Sequence, residues 1–153
     1  MTEDLLSSFG LYGGAGISAF LFGLIPFNQD VVLFGMSATL VDSPSQLPLI
    51  VIIATIAHTI AKVITYYIGR GLLELPRGRF KSVIERARGK LDQWNKRPYW
   101  VMGLAALVGL PPLYIVGFIA SALRIRIVPF ILICFVGRLI HFGIVVAIPW
   151  ITY

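Results

Sequence analysis

Apolar residues dominate this chain, and the few polar or glycine-proline interruptions among them divide it into elements. Pro48 to Gly69 and Val128 to Trp150 are predominantly apolar. Each is long enough to cross about 30 Å of hydrocarbon as one helix. Each opens near a proline, which a first helical turn tolerates. Transmembrane helices are therefore expected over 47–69 and 127–150. Two other apolar stretches do not read as simple spans. Leu5 to Gln29 is uncharged but carries Gly10, Gly13, Gly14, Gly16 and Gly23, then Pro26, and after Asp30 only the short run Val31 to Val41 follows. Pro98 to Leu123 is uncharged but is broken at its centre by Gly109-Leu110-Pro111-Pro112. Both predict re-entrant hairpins, over 5–45 and 98–123, with Pro26, Pro111 and Pro112 at the tips. Such broken backbone is tolerable at depth only where protein or water satisfies its freed polar groups.

Charge fixes the sidedness. Between Arg70 and Arg97 stand nine basic residues, opposed only by Glu74, Glu85 and Asp92, so this segment holds the whole net charge of +6. Basic loops beside apolar spans stay in the cytoplasm. A single crossing by 98–123 would put Arg97 and the Arg124/Arg126 pair on opposite sides; a hairpin keeps them together. Within 70–97, Phe80, Val83, Ile84, Ala87, Leu91 and Trp94 recur at helical spacing. This predicts an amphipathic cytoplasmic helix lying on anionic lipid, or packed against the spans. The N-terminus, Met-Thr-Glu-Asp, is acidic where a signal peptide would be basic, so no cleavable signal is expected and this end can lie outside.

The hairpins also repeat. Gly23-Leu24-Ile25-Pro26 matches Gly109-Leu110-Pro111-Pro112. Each is followed by an apolar run with small residues and then by a span opening on proline, Pro48 or Pro129. A hairpin returns to its own side and a span crosses once, so the second copy must enter from the opposite face. The expected fold is an all-α integral membrane protein of two inverted repeats, each a re-entrant helical hairpin plus a transmembrane helix. Broken helices in inverted repeats are a common transporter design.

Charge inside the membrane is costly and usually functional. Asp30 lies just past the first hairpin tip, either in a binding role or as a helix-start acid with Asn28 as N-cap. Lys62 precedes Arg70 by a helical rise of about 12 Å, and Arg138 follows Pro129 by about 13 Å, so their depths agree. His141 follows Arg138 by one turn on the same face. A structural ion pair of Asp30 with Arg138 or Lys62 explains these charges equally well. Thr55, His58, Thr59, Lys62 and Tyr66 form a polar stripe that fits either a water-filled cavity or a partner helix. The expected substrate site comprises Asp30, Lys62, Arg138 and His141, with Asn28 and Tyr66. Helices restarting after Pro26 and Pro112 would point backbone N–H groups inward, which favours a phosphate group over a cation.

Other chemistry finds little support. Of the residues, 58% are hydrophobic and 13% charged, well below the quarter of a soluble domain. The basic charge sits beside spans with no nucleic-acid motif, so no nucleic-acid partner is expected. Cys134 is the only cysteine, and no Cys/His cluster has metal-ligand spacing. No hydrolase, zinc-protease or nucleotide-binding motif is present, so neither an enzyme nor a cofactor is expected.

The order of these residues resembles the DedA family, also called the SNARE-associated or VTT-domain family, and within it the short YqaA-like branch. Pro26 and Asp30 match its proline and acid in the first hairpin. Ala57, Ala61, Tyr66, Gly69 and Arg70 match its small pair and Tyr-x-x-Gly-Arg. Ala120, Ser121, Arg124, Pro129, Phe130, Gly137 and Arg138 match its second half. The resemblance covers about residues 20 to 145. It implies re-entrant hairpins in inverted repeat, usually a homodimer, and transport of polyprenyl phosphate or phospholipid driven by a proton or sodium gradient. The second hairpin lacks the acid that the family often carries there. A multi-pass protein of a bacterial or archaeal cytoplasmic (inner) membrane is expected, moving phosphate-headed lipids, with anionic or polyprenyl-phosphate lipids as partners. The rivals are an exporter of small cationic compounds, where Asp30 would bind substrate, and a non-transporting scaffold with structural charges.

Overall fold

The structure, a computed structural model, describes residues 2–25, 29–74, 98–108, 116–117, 120–121 and 124–152. The described residues form five α-helices and one short 3-10 turn, with no strand among them: α1 (Thr2–Leu24), α2 (Gln29–Thr39), the turn Pro44–Gln46, α3 (Leu47–Glu74), α4 (Pro98–Val108) and α5 (Ile127–Thr152). Two of these, within Pro44–Gly71 and Ile127–Thr152, are long and apolar enough to cross a membrane. The expected hairpin tips Pro26, Pro111 and Pro112, the cap Asn28, and nearly all of the basic segment 70–97 lie outside the described residues.

The long helices invert the patterning of a soluble protein. Along α3, Ile52, Ile56, Ile60 and Ile64 are exposed at every fourth position, while Thr55, His58, Thr59, Lys62 and Thr65 are buried. Along α5, Val128, Leu132, Val136, Ile140, Ile144 and Ile148 continue the same exposed stripe, and Arg138 is buried. In water such faces would leave large apolar ridges exposed; in hydrocarbon they are the matched surface. α1, at 23 residues, is longer than the half-helix a shallow hairpin needs, at about 34 Å.

The chain divides into two compact units: residues 1–61 with 138–153, and residues 62–137. In the first, Leu11, Ala15 and Ala19 of α1 and Leu33 of α2 pack with Ile50, Val51 and Ala54 of α3 and Phe142 and Val146 of α5. Small residues set the approach of α1 to α3. A Cβ on Gly23 would stand 2.6 Å from that of Ala61, and one on Gly16 would stand 3.1 Å from Ile53. At the far end of α2, the Ser37 hydroxyl donates to the Val146 carbonyl at 2.6 Å.

The second unit has its own core of Tyr66, Met102, Ala105, Ala106, Val116, Ala120, Ile125, Phe130 and Cys134. Gly137 of α5 meets Ala106 of α4 so closely that a side chain on Gly137 would collide with the Ala106 Cβ and press on its backbone. The approach to α5 closes in a Schellman pattern: Ile125 N–H donates to the Ala120 carbonyl at 3.0 Å and Arg124 N–H to the Ser121 carbonyl at 3.1 Å. Arg124 occupies the left-handed position, at φ 52°, where glycine is usual. The buried Tyr66 hydroxyl donates to the Ile125 carbonyl at 2.6 Å and fastens this reversal to α3.

Candidate functional site

The first unit carries a polar cluster inside its apolar helices, built where the first turn of α2 meets one face of α3 and one face of α5. α2 contributes two neighbours, Gln29 and Asp30. α5 contributes Arg138, His141 and Phe142, at the i, i+3, i+4 spacing that shares a face. α3 contributes Thr55, His58 and Thr59 at the same spacing.

Asp30 Oδ1 and His141 Nε2 are 2.9 Å apart, with side chains 34% and 14% exposed, so the pair is only partly removed from solvent. The charge of Arg138 also acts on the Asp30 carboxylate. The Arg138 guanidinium lies over the Phe142 ring, 5.4 Å from its centre, an arrangement that favours a buried cation. The same ring meets His58 edge-on at 5.5 Å. The Asp30 carboxylate thus has His141 at hydrogen-bond distance and the charge of Arg138 acting on it. Which group faces a carboxylate depends on the rotation of each helix about its axis, which charge and depth do not specify.

Beside that pair runs a second one. His58 Nδ1 and Gln29 Oε1 are 2.7 Å apart and both residues are buried. Gln29 keeps its amide Nε2 buried without a protein partner, as do the Thr55 and Thr59 hydroxyls. A buried polar atom left unsatisfied costs about 1–3 kcal/mol, and no protein contact offsets that cost for these three groups.

Of the residues expected to bind substrate, Asp30, Arg138 and His141 come together in the first unit. Lys62 is buried in the second unit, and Tyr66 lies in that unit's core with its hydroxyl on the Ile125 carbonyl. Asn28 lies outside the described residues. Gln29 was absent from the expected set, and His58 figured only in the stripe. The available signal was an uncharged amide next to Asp30 in otherwise apolar sequence. Among the described residues no group of three or more acidic, histidine or cysteine side chains converges to hold a metal.

Apolar outer stripes, buried charge and helices of spanning length define a helical membrane protein. Residues 17–149 match the VTT domain, so the chain belongs to the VTT-domain family, the DedA family, whose members are membrane proteins connected with transport. No curated protein matches the chain, and no solved structure does.

Proposed function

We propose that this protein transports phosphate-headed lipids, a polyprenyl phosphate or a phospholipid, across an inner membrane, and that it does so as a multi-pass member of the short YqaA-like branch. The observation that carries this reading is the cluster around Asp30. A carboxylate paired with His141 and a buried arginine stand together at the start of α2, within helices whose outer faces suit hydrocarbon. Charge at such a place is expensive and is retained where ions or substrates pass. Arg138 offers a phosphoryl group a fixed positive charge, and the first turn of α2 adds N–H groups that favour anions. Asp30, held by His141, is the carboxylate that this reading assigns to proton coupling.

Removing Arg138 tests the site. Arg138→Ala should weaken binding of short-chain phosphatidic acid by about tenfold or more, the scale of a lost charge-assisted hydrogen bond. Arg126→Ala, which removes an exposed arginine, should change it little. Calorimetric titration of the folded variants in detergent reads both. Equal effects would show general attraction to basic charge in place of a site.

The architecture we infer for this transport is a pair of inverted repeats. Two units with separate cores support it, since each includes part of both long helices. In this topology the basic segment 70–97 is cytoplasmic and both ends of the chain lie outside. Single cysteines in a Cys134→Ala background should report this by labelling with a membrane-impermeant maleimide. A cysteine at Ser82 should react only from the cytoplasmic side, and one at Thr152 only from outside. Labelling of both from one side would remove the odd number of crossings that an inverted second repeat requires.

A further inference from the structure

Four features of the polar cluster are not used by the charged groups: the amide of Gln29, the hydroxyls of Thr55 and Thr59, and the contact of His58 with Gln29. We propose that Gln29, Thr55 and Thr59 are neutral ligands of the phosphoryl oxygens, and that His58 is the positioning residue that aims the Gln29 amide. This rests on the phosphate reading above and assigns to that site a second, uncharged set of contacts.

Chemistry selects the ligand class. The Gln29 Nε2 is a donor and cannot accept, so its partner must present a lone pair. With His58 donating from Nδ1 to Oε1 at 2.7 Å, the Nε2 end of the amide is the one left for a ligand. The Thr55 and Thr59 hydroxyls donate as readily as they accept, and four-residue spacing stacks them on one face of α3. All three residues are more than nine-tenths buried, at 4%, 0% and 7% exposure, and the Nε2 and both hydroxyl oxygens lack a protein partner. A phosphoryl group supplies several acceptor oxygens and no donors when ionised. A cation supplies none, so the cationic-exporter reading leaves the Gln29 amide unsatisfied. The α2 N-terminus, in an 11-residue helix, points the same way.

The acceptor oxygens could belong to a lipid headgroup or to free phosphate. Dihexanoyl phosphatidate and inorganic phosphate, titrated separately into the detergent-solubilised full chain, distinguish the two sources. The doubly substituted Thr55→Val/Thr59→Val chain keeps shape and loses both hydroxyls. It should bind phosphatidate at least about tenfold more weakly, the scale of hydrogen bonds to a charged group. Its melting temperature without ligand should be unchanged or higher, because the hydroxyls it loses have no protein partner to forfeit. Thr55→Ser/Thr59→Ser should restore binding. Gln29→Glu keeps the oxygen that faces His58 but turns the donor into an acceptor, and should weaken binding at least as much.

The outcomes separate cleanly. If Arg138→Ala weakens phosphatidate binding but the valine pair and Gln29→Glu do not, the neutral-ligand assignment fails and the phosphate site stands. If none of the three matters, both fail. A lower melting temperature for the unliganded valine pair would make the hydroxyls structural and overturn the assignment. Inorganic phosphate should lose affinity by the same factor as phosphatidate. Loss confined to the lipid would show that these groups read the glycerol ester, and would overturn phosphoryl recognition.

Discussion

Gly137→Ala should destabilise the protein by about 1–3 kcal/mol, the usual cost of forcing extra volume into a packed interior. The sign is what makes the result informative. In an open helical position the same change is favourable by about 1 kcal/mol, because alanine is the better helix former. At Gly137 the added methyl meets Ala106 Cβ at once, with the Ala106 carbonyl carbon at 3.1 Å and Cα at 3.3 Å, so the obstacle is backbone that cannot swing away. Gly143, on the same helix, has nothing within 4 Å of an added Cβ, so Gly143→Ala should be neutral or stabilising. Adding Ala106→Gly to Gly137→Ala should recover part of the loss. Thermal unfolding in detergent checks all three. A neutral Gly137→Ala would mean that close approach of α4 and α5 is not what that glycine serves. Close packing through small residues is a main source of helix association in membranes, where no hydrophobic force joins helices.

Asp30→Asn should abolish gradient-dependent lipid movement while the protein still folds and inserts. The amide can still meet a neutral His141, so the contact survives in part, but the negative charge and the site for a proton are gone. A carboxylate inside a membrane segment is the kind of group that carries protons in transporters, and Asp30 is assigned that role here. Reconstituted vesicles read the effect. With an imposed proton gradient, the variant should lose acceleration of phosphate-lipid transfer, while exchange down a lipid gradient partly persists. Normal driven transport together with a lower melting temperature would identify the pair as a fastener between α2 and α5, and the proton-coupled reading would be abandoned.

The two long helices were legible because length and hydropathy decide them together. The expected spans 47–69 and 127–150 fall within α3 and α5, which run on to Glu74 and Thr152. The extensions were not legible, since a helix continues past the hydrocarbon for reasons of backbone bonding that hydropathy does not record. A change between Gly23 and Asp30 was also readable, and α1 indeed ends at Leu24 with α2 starting at Gln29. The length of α1 was not: the expected hairpin began at residue 5, whereas α1 begins at Thr2.

In the site, Asp30, Arg138 and His141 announced themselves as charge or potential charge within apolar sequence. Their partners did not. The Gln29–His58 contact joins residues 29 apart in sequence, and that of Asp30 with His141 joins residues 111 apart. No local periodicity reports such pairings; they follow from how helices rotate against one another. The second-unit position of Tyr66 was hidden for the same reason, because its hydroxyl answers the Ile125 carbonyl across 59 residues.

The first unit is discontinuous: residues 1–61 are completed by residues 138–153, with the whole of the second unit lying between them in sequence. Chains are made from the N-terminus onward, and contacts between distant segments are the slowest to form. The second unit, continuous from 62 to 137, can therefore condense as soon as its own residues emerge. Asp30 must wait. Until the end of α5 is inserted, Asp30 has neither His141 nor Arg138 beside it, and Ser37 has no Val146 carbonyl to hold. The contacts of α5 with the start of α2 are thus the last to be assembled during biosynthesis, and an interrupted chain carries the Asp30 carboxylate without the residues that face it.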